Sequence, residues 1–360
     1  MTQRPEASLE GDSTSKRKGE HIRICLQEDV NGAGIETGFE RFRFRHNALP
    51  ELSFDDINIS TTWLGKALKT PLLVSSMTGG TSESGDINRR LAEVAEARGW
   101  AIGLGSMRAA IEKEELAASF YIRNEAPHVP VIANLGAVQL NYGFDWGDCI
   151  RAVEMAEADA LVLHLNGMQE VFQPEGNTDF RGLLRKIKDV CDALSVPVGI
   201  KEVGWGIDGD TAERLAEAGI AFIDVAGAGG TSWSQVEKFR TTPMRRQAAE
   251  AFADWGISTS EALIDVKRAA PATSVIASGG LKSGVDAAKA IALGADLAGF
   301  GRILLPNAAE KSRAKAVETL AAQFERIEFE LRTAMFGIGA GTIAELRQTN
   351  RLENRRYGYA

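Results

Sequence analysis

Residues 274–301 read SVIASGGLKSGVDAAKAIALGADLAGFG. The stretch opens on a short apolar run, Ser274–Ala277, and passes into the glycine-rich turn 278–284. Ala287, Ala288, Ala290 and Ile291 then recur at helical spacing, and a second apolar run follows at Leu297–Phe300. A strand, a turn, an amphipathic helix and another strand make a parallel crossover unit. The same alternation extends N-terminally. Apolar runs at Leu72–Ser76, Ala101–Leu104, Val131–Asn134, Ala160–Leu165, Val198–Lys201 and Phe222–Ala226 complete a set of eight with the two above. Helical patterns such as Asn88–Arg98, with Leu91, Val94 and Ala95 on one face, lie between them. Eight units over this length predict an α/β fold of the (β/α)8 TIM-barrel type, whose usual size is ~250 residues. A doubly wound open sheet is the alternative. Its dinucleotide fingerprint should follow the first strand, where the chain reads Ser76-Met77-Thr78-Gly79-Gly80 instead.

Around this core, residues 1–15 are polar and read as a disordered leader. Residues 16–69 read as an N-terminal arm covering the active site, with an edge strand in the Arg41–Arg45 alternation. The barrel spans 70–310, and residues 311–360 read as C-terminal helices and a polar tail. Lys plus Arg number 41 and Asp plus Glu 49, a net charge of −8, which argues against non-specific nucleic-acid binding. No apolar run reaches the roughly 18 residues of a membrane span, and the N-terminal stretch has no apolar secretory core, so a cytoplasmic location is expected. The three cysteines, Cys25, Cys149 and Cys191, lie far apart and form neither a disulfide framework nor a zinc pattern.

Barrel sites sit at the C-terminal ends of the strands. Small and polar residues follow every one: Met77-Thr78-Gly79-Gly80, Gly105-Ser106-Met107-Arg108, Asn134-Leu135-Gly136, His164 to Glu170, Lys201-Glu202, Gly227 to Thr231, Ser278-Gly279-Gly280 and Gly299-Phe300-Gly301-Arg302. The last two loops predict a phosphate cradle, because glycine lets backbone N–H groups approach an anion closely. His164, Asn166, Gln169 and Glu170 form the densest polar group, and Glu170 can hold Mg²⁺ where substrate phosphates and water supply the remaining oxygens. Lys201 ends a buried strand and needs an electron-rich partner; the oxygen edge of a flavin would serve, and an ion pair with Glu202 or Glu170 is the structural alternative. Arg17 to His21 matter only if the arm folds over the barrel mouth.

Eight motifs in register carry a resemblance over nearly the whole chain: R-K-x-E-H-I at 17–22, S-S-M-T-G-G at 75–80, G-x-G-S-M-R at 103–108, A-N-L-G at 133–136, H-L-N-x-x-Q-E at 164–170, K-E-V-G-x-G-I at 201–207, A-G-x-G-G-T-S-W at 226–233 and S-G-G at 278–280. The sequence resembles the type 2, FMN-dependent isopentenyl-diphosphate isomerases. The resemblance implies interconversion of isopentenyl and dimethylallyl diphosphate by a 1,3-proton shift, in isoprenoid biosynthesis, with reduced FMN, Mg²⁺ and NADPH as reductant. It implies a flavin beside Met77, Thr78, Gly79, Ser106, Asn134, Lys201, Thr231, Gly279, Lys282 and Gly299. It implies a diphosphate substrate near Arg17, Lys18, His21, Arg108, His164 and Asn166. Gln169 would lie by the reacting carbons, with His164 and Lys201 also in the catalytic set and Glu170 as the metal ligand. A homo-oligomer, a tetramer or larger, is implied as well. Asp208 stands where relatives more often carry Ser or Thr near the diphosphate.

Moving an unactivated double bond requires protonation toward a tertiary cation, a task for which ordinary carboxylic acids are weak. A flavin-dependent 2-hydroxy-acid oxidase is disfavoured because it needs a His base after a late strand and no histidine follows His164. A cysteine-nucleophile barrel needs its cysteine in a rim loop, and Cys149 and Cys191 fall in helical patterns. A non-catalytic phosphate-binding barrel would not need Gln169, Glu170 and Lys201 together.

Overall fold

The computed structural model describes residues 10–355, with side chains from Arg17 onward. Eight parallel strands close into a barrel: β1 (Leu72–Val74), β2 (Ala101–Gly103), β3 (Val131–Gly136), β4 (Ala160–His164), β5 (Val198–Lys201), β6 (Phe222–Asp224), β7 (Ser274–Ala277) and β8 (Leu297–Phe300). Each expected strand is present and in the expected order. β8 pairs with β1, Gly299 opposite Leu73, which seals the cylinder. Helix α1 (Glu10–Gln27) precedes the barrel. The crossovers carry, among others, α2 (Ser82–Arg98), α3 (Gly167–Phe172), α4 (Trp233–Glu237) and α5 (Gly284–Ala292), and α6 (Arg313–Ile338) follows β8.

Two apolar layers explain the closure. Leu73, Ala101, Ile132, Ala160, Val162, Phe222, Ile276 and Leu297 fill the barrel interior. Gly199 makes room there, since a Cβ would sit 2.3 Å from the Phe222 ring. The second layer lies between strands and helices. α6 contributes a stripe of Ala316, Leu320, Phe324, Ile327, Leu331, Met335 and Ile338, at helical spacing. Ser312 caps its start, and Gly339 at φ 75° ends it.

The arm divides. α1 lies at the C-terminal mouth, but a hairpin of Thr61–Trp63 and Lys66–Leu68 plugs the opposite end. Trp63 stacks edge-on against Phe222 at 5.2 Å and donates to Ser274 Oγ at 3.0 Å, both residues opening their strands. Only the first part of 16–69 therefore covers the mouth, a correction to the expected arm. The apolar pairing of Trp63 with the barrel floor draws the hairpin away from it. The expected edge strand is Phe42–Phe44, with Phe42 buried and Arg43 exposed. Its partner, Leu352–Asn354, lies in the stretch expected to be a plain tail. Residues 10–15 of the expected leader belong to α1, and residues 1–9 lie outside the described residues. Among the described residues no helix is long and apolar enough to cross a membrane.

Candidate active site

The loops after the strands border two adjoining chambers at the C-terminal end, with about 1080 Å³ and about 820 Å³ of open space. Lys18, His21, Ser76, Met77, Lys201, Val203 and Trp233 border both. The first chamber takes Thr78, Thr231, Gly279, Lys282 and Gly299 from the expected set. The second takes Arg17, Ser106, Arg108, Asn134, His164, Asn166, Gln169 and Glu170. Ser106 and Asn134, expected beside a flavin, thus lie on the side of the charged residues. Gly79 borders neither chamber. A Cβ there would fall 1.9 Å from Phe120, so this glycine serves the packing behind β1.

One side of the first chamber is glycine backbone, from Gly230, Gly279, Gly280, Gly299 and Gly301. Gly279 and Gly280 hold φ of 107° and 82°, and a Cβ at Gly279 would lie 2.2 Å from the Gly227 carbonyl oxygen. β6, β7 and β8 meet here so closely that only glycine fits. Ser75 Oγ and Thr78 Oγ1 are buried without a hydrogen-bond partner. An unpaired buried hydroxyl costs stability unless something else bonds to it, so this lining is shaped for a polar ligand. Gly280, Gly301 and Arg302, from the two loops expected to form a phosphate cradle, also line it, as does Ser75 of the first strand's motif, which was not singled out.

Lys201 joins the two chambers. Its Nζ donates to the Glu202 carbonyl oxygen at 2.6 Å and lies 3.8 Å from the Asp224 carboxylate. The ion pair with Glu202 or Glu170, weighed above as the structural alternative, does not form. The Glu202 carboxylate turns instead to the N–H groups of Val203, Gly204 and Trp205, at 2.6 to 2.8 Å. Asp224 is buried and accepts from Ser278 Oγ at 2.6 Å; burial pushes its carboxyl up, against the pull of Lys201.

The second chamber is built of side chains. α3 begins just after Asn166, so Asn166, Gln169 and Glu170 share a face at i, i+3 and i+4. Asn166 Nδ2 donates to Glu170 Oε1 at 2.6 Å and to Gln169 Oε1 at 3.3 Å. Gln169 Nε2 donates to Glu237 Oε1 at 3.0 Å, so its amide is held at both ends. Asn166 Oδ1 is left buried and unpartnered. Burial pushes Glu170 up, and the Asn177 N–H and the Asn166 amide partly offset this. His164 Nδ1 faces Asn134 Oδ1 at 2.8 Å. Burial first, then Lys18, Lys201 and Arg17, hold its imidazole down to about 3, so it is neutral. Burial and the charges of Arg17 and Arg108 pull Lys18 down to about 7. Four cationic positions crowd this chamber against one carboxylate of its own, and an anion would relieve the crowding.

Glu237 was missed. It reads in sequence as one more charge beside Lys238, yet its side chain is fully buried. It lies one helical turn beyond Trp233, the last residue of a quoted motif, and that spacing was its only signal. Its Oε1 pairs with His21 Nε2 at 3.0 Å. Burial opposes its charge, but His21, Gln169 and Arg240 hold it down to about 2. His21 therefore faces a carboxylate as well as the chamber. Asp208 borders neither chamber; it caps the helix Gly209–Glu217, accepting from Thr211 N at 2.9 Å. Burial pushes Cys25, Cys149 and Cys191 up to between about 11 and about 12, which leaves no activated thiol among them.

A family model described as FMN-dependent dehydrogenase matches residues 164–353. The isopentenyl-diphosphate delta-isomerase of Oceanobacillus iheyensis is 51% identical over 339 residues, covering 94% of this chain and 96% of that protein. That of Nostoc sp. is 48% identical over 350 residues, covering 97% and 99%. Among solved structures, a flavocytochrome b2 variant with pyruvate bound superposes at a TM-score of 0.67 with 16% identity, covering 99% of this chain and 90% of that one. A lactate oxidase of Pediococcus acidilactici superposes at 0.64 with 17% identity, covering 98% and 95%. At that identity these two establish the fold alone.

Proposed function

This chain belongs to the FMN-dependent, type 2 family of isopentenyl-diphosphate delta-isomerases, an enzyme of that activity with FMN as its cofactor, and from that premise we propose how its two chambers divide the reaction. The first chamber holds FMN and the second holds the diphosphate, so that the reacting carbons lie where the two meet, beside Met77, Lys201 and Trp233. The reaction is a 1,3-proton shift between isopentenyl and dimethylallyl diphosphate. The observation that carries this reading is the sharing of one wall by a glycine-built pocket and a cation-lined pocket.

The residues present fit FMN. The unpartnered Ser75 and Thr78 hydroxyls offer polar partners, the Gly279, Gly280, Gly299 and Gly301 backbone leaves room for a phosphate, and Lys282 and Lys201 add positive charge. Reduced FMN supplies a nitrogen that gives and takes protons and an electron-rich ring that tolerates positive charge nearby. Mg²⁺ fits Glu170, a single carboxylate with the unpartnered Asn166 oxygen close by, because this ion keeps most of its shell for phosphate and water.

The chain's own residues bind, orient and exclude water. Arg17, Lys18, Arg108 and His164 receive the diphosphate, and its charge raises the proton affinity of Lys18 back toward that of a free lysine. Gln169, fixed between Asn166 and Glu237, presents a rigid amide to the alkene, which it orients or serves as a proton relay. His21, held by Glu237, faces the diphosphate from the arm, and Trp233, packed edge-on against it at 5.0 Å, covers the reacting carbons with apolar surface that keeps water away. NADPH serves as the reductant, the protein works in the cytoplasm as a homo-oligomer of four or more chains, and it needs neither a nucleic acid nor a membrane as partner.

The test incubates reduced, FMN-loaded protein with isopentenyl diphosphate and Mg²⁺ and follows dimethylallyl diphosphate by NMR beside an oxidised control. Turnover only in the reduced sample is expected. Equal turnover in both, or a purified protein that stays colourless with added FMN, overturns the reading.

A further inference from the structure

Arg240 lies beyond the end of α4, borders neither chamber, and has no part in the chemistry above. Its side chain is only 10% exposed, yet it meets carboxylates from three separate parts of the chain. Nε reaches Glu20 on α1 at 2.7 Å, and Nη1 reaches Glu237 on α4 at 2.8 Å. Nη2 reaches Glu175, in the segment after α3, at 3.2 Å. Glu175 lies in turn 3.6 Å from Arg17, back on α1. The far oxygen of Glu237 holds His21 and Gln169. A single guanidinium thus ties the arm, the loop after β4 and the loop after β6 into one network.

Apolar contact alone holds α1 weakly on this side. Its buried apolar residues Ile22 and Ile24 are few, and Ile24 packs in a small cluster with Val30 and Val236. Charge-assisted bonds from the mostly buried Arg240 guanidinium to Glu20 and Glu175, each about a third exposed, therefore add to what seats the helix. A planar fork with donors on three sides suits this task, and the point charge of lysine does not. Without the cation, Glu20, Glu175 and Glu237 would face one another, with only His21 and Arg17 left to answer them.

We infer that Arg240 is a positioning residue: it seats the arm that carries Arg17, Lys18 and His21 over the anion chamber, and through Glu237 it fixes the Gln169 amide. The assignment of that chamber to a diphosphate rests on the function proposed above, but the seating of the arm does not. The test uses FMN-loaded protein in three forms: Arg240→Gln, Arg240→Lys and the double variant Glu20→Gln/Glu175→Gln, which keeps the Arg240–Glu237 pair. Amide hydrogen exchange over residues 17–27 reads the seating, and inorganic diphosphate binding reads the chamber without turnover. The double variant is expected to speed exchange about ten-fold and to raise KM about five-fold, with kcat and FMN affinity held within about two-fold. Arg240→Gln adds a fall in kcat of about ten-fold or more, because Gln169 loses its anchor, and Arg240→Lys recovers only part of it. Unchanged exchange over 17–27 in the double variant overturns the inference, even if Arg240→Gln fails to fold. So does a lower melting temperature with diphosphate affinity and KM at wild-type values. A wild-type protein without isomerase activity would sink the proposed function and leave the exchange result to decide this one.

Discussion

The two chambers differ in what they are made of. The first is a backbone cradle in which Gly279, Gly280 and Gly230 approach one another so closely that any side chain collides. The second is a charged cup of side chains, each tethered to a neighbour: Gln169 to Glu237, Asn166 to Glu170, His164 to Asn134. The glycine backbone of the first chamber keeps its character at any pH, although Lys18 and His21 stand on the wall it shares with the second. The second carries side-chain charge that moves with pH, Lys18 foremost. On the function proposed above, the cradle would hold the resident cofactor and the charged cup the substrate that comes and goes.

The largest expected effect breaks the second chamber and spares the first. Gln169→Asn shortens the amide so that it cannot reach both Asn166 and Glu237, and kcat should fall by roughly 10²–10³ while the protein stays yellow. Near-normal turnover would remove Gln169 from the reacting carbons. Glu170→Gln should raise the Mg²⁺ concentration for half-maximal rate by about ten-fold or more, with FMN affinity unmoved. An unaltered metal requirement would take Glu170 out of the metal site.

The converse experiment damages the cradle alone. Gly279→Ala puts a Cβ into the Gly227 backbone at a φ of 107°, so FMN affinity should weaken about ten-fold, read by recovery of free-flavin fluorescence. Diphosphate affinity should hardly change, and a large loss there would mean that the chambers are not separable. The smallest effect sharpens the contrast in charge. Lys18 sits down at about 7 in the free protein, so its ammonium is present below that pH and lost above it. A cation that grips a diphosphate therefore makes kcat/KM fall as pH rises through about 7. In Lys18→Gln this limb should flatten, at a lower plateau. A limb that survives the substitution assigns it to another group.

Much of the mouth was legible because its signals are local. Thr78, Lys201, Gly279 and Gly299 stand at the ends of apolar runs, and in a barrel that address is enough to bring them together. Asn166, Gln169 and Glu170 converge through the period of one helix. Gly79 carried the same signal and answers to Phe120 instead, since a glycine required by packing looks like one required by a ligand. The hairpin at Trp63 was invisible as a plug, because nothing near it in sequence says which end of the barrel it will meet.

By itself, then, the amino-acid order determined the eight-fold alternation, the glycine turns and the rim residues, all of which follow from spacing within a few turns of chain. The tertiary structure alone decided the buried charges. His21 meets Glu237 across 216 positions, Glu20 meets Arg240 across 220, and Lys201 passes over its neighbour's carboxylate for Asp224 on the next strand. A charged residue reads as solvated until its partner is known. Its burial is set by long-range closure of the chain, which brings opposite charges together where water is excluded.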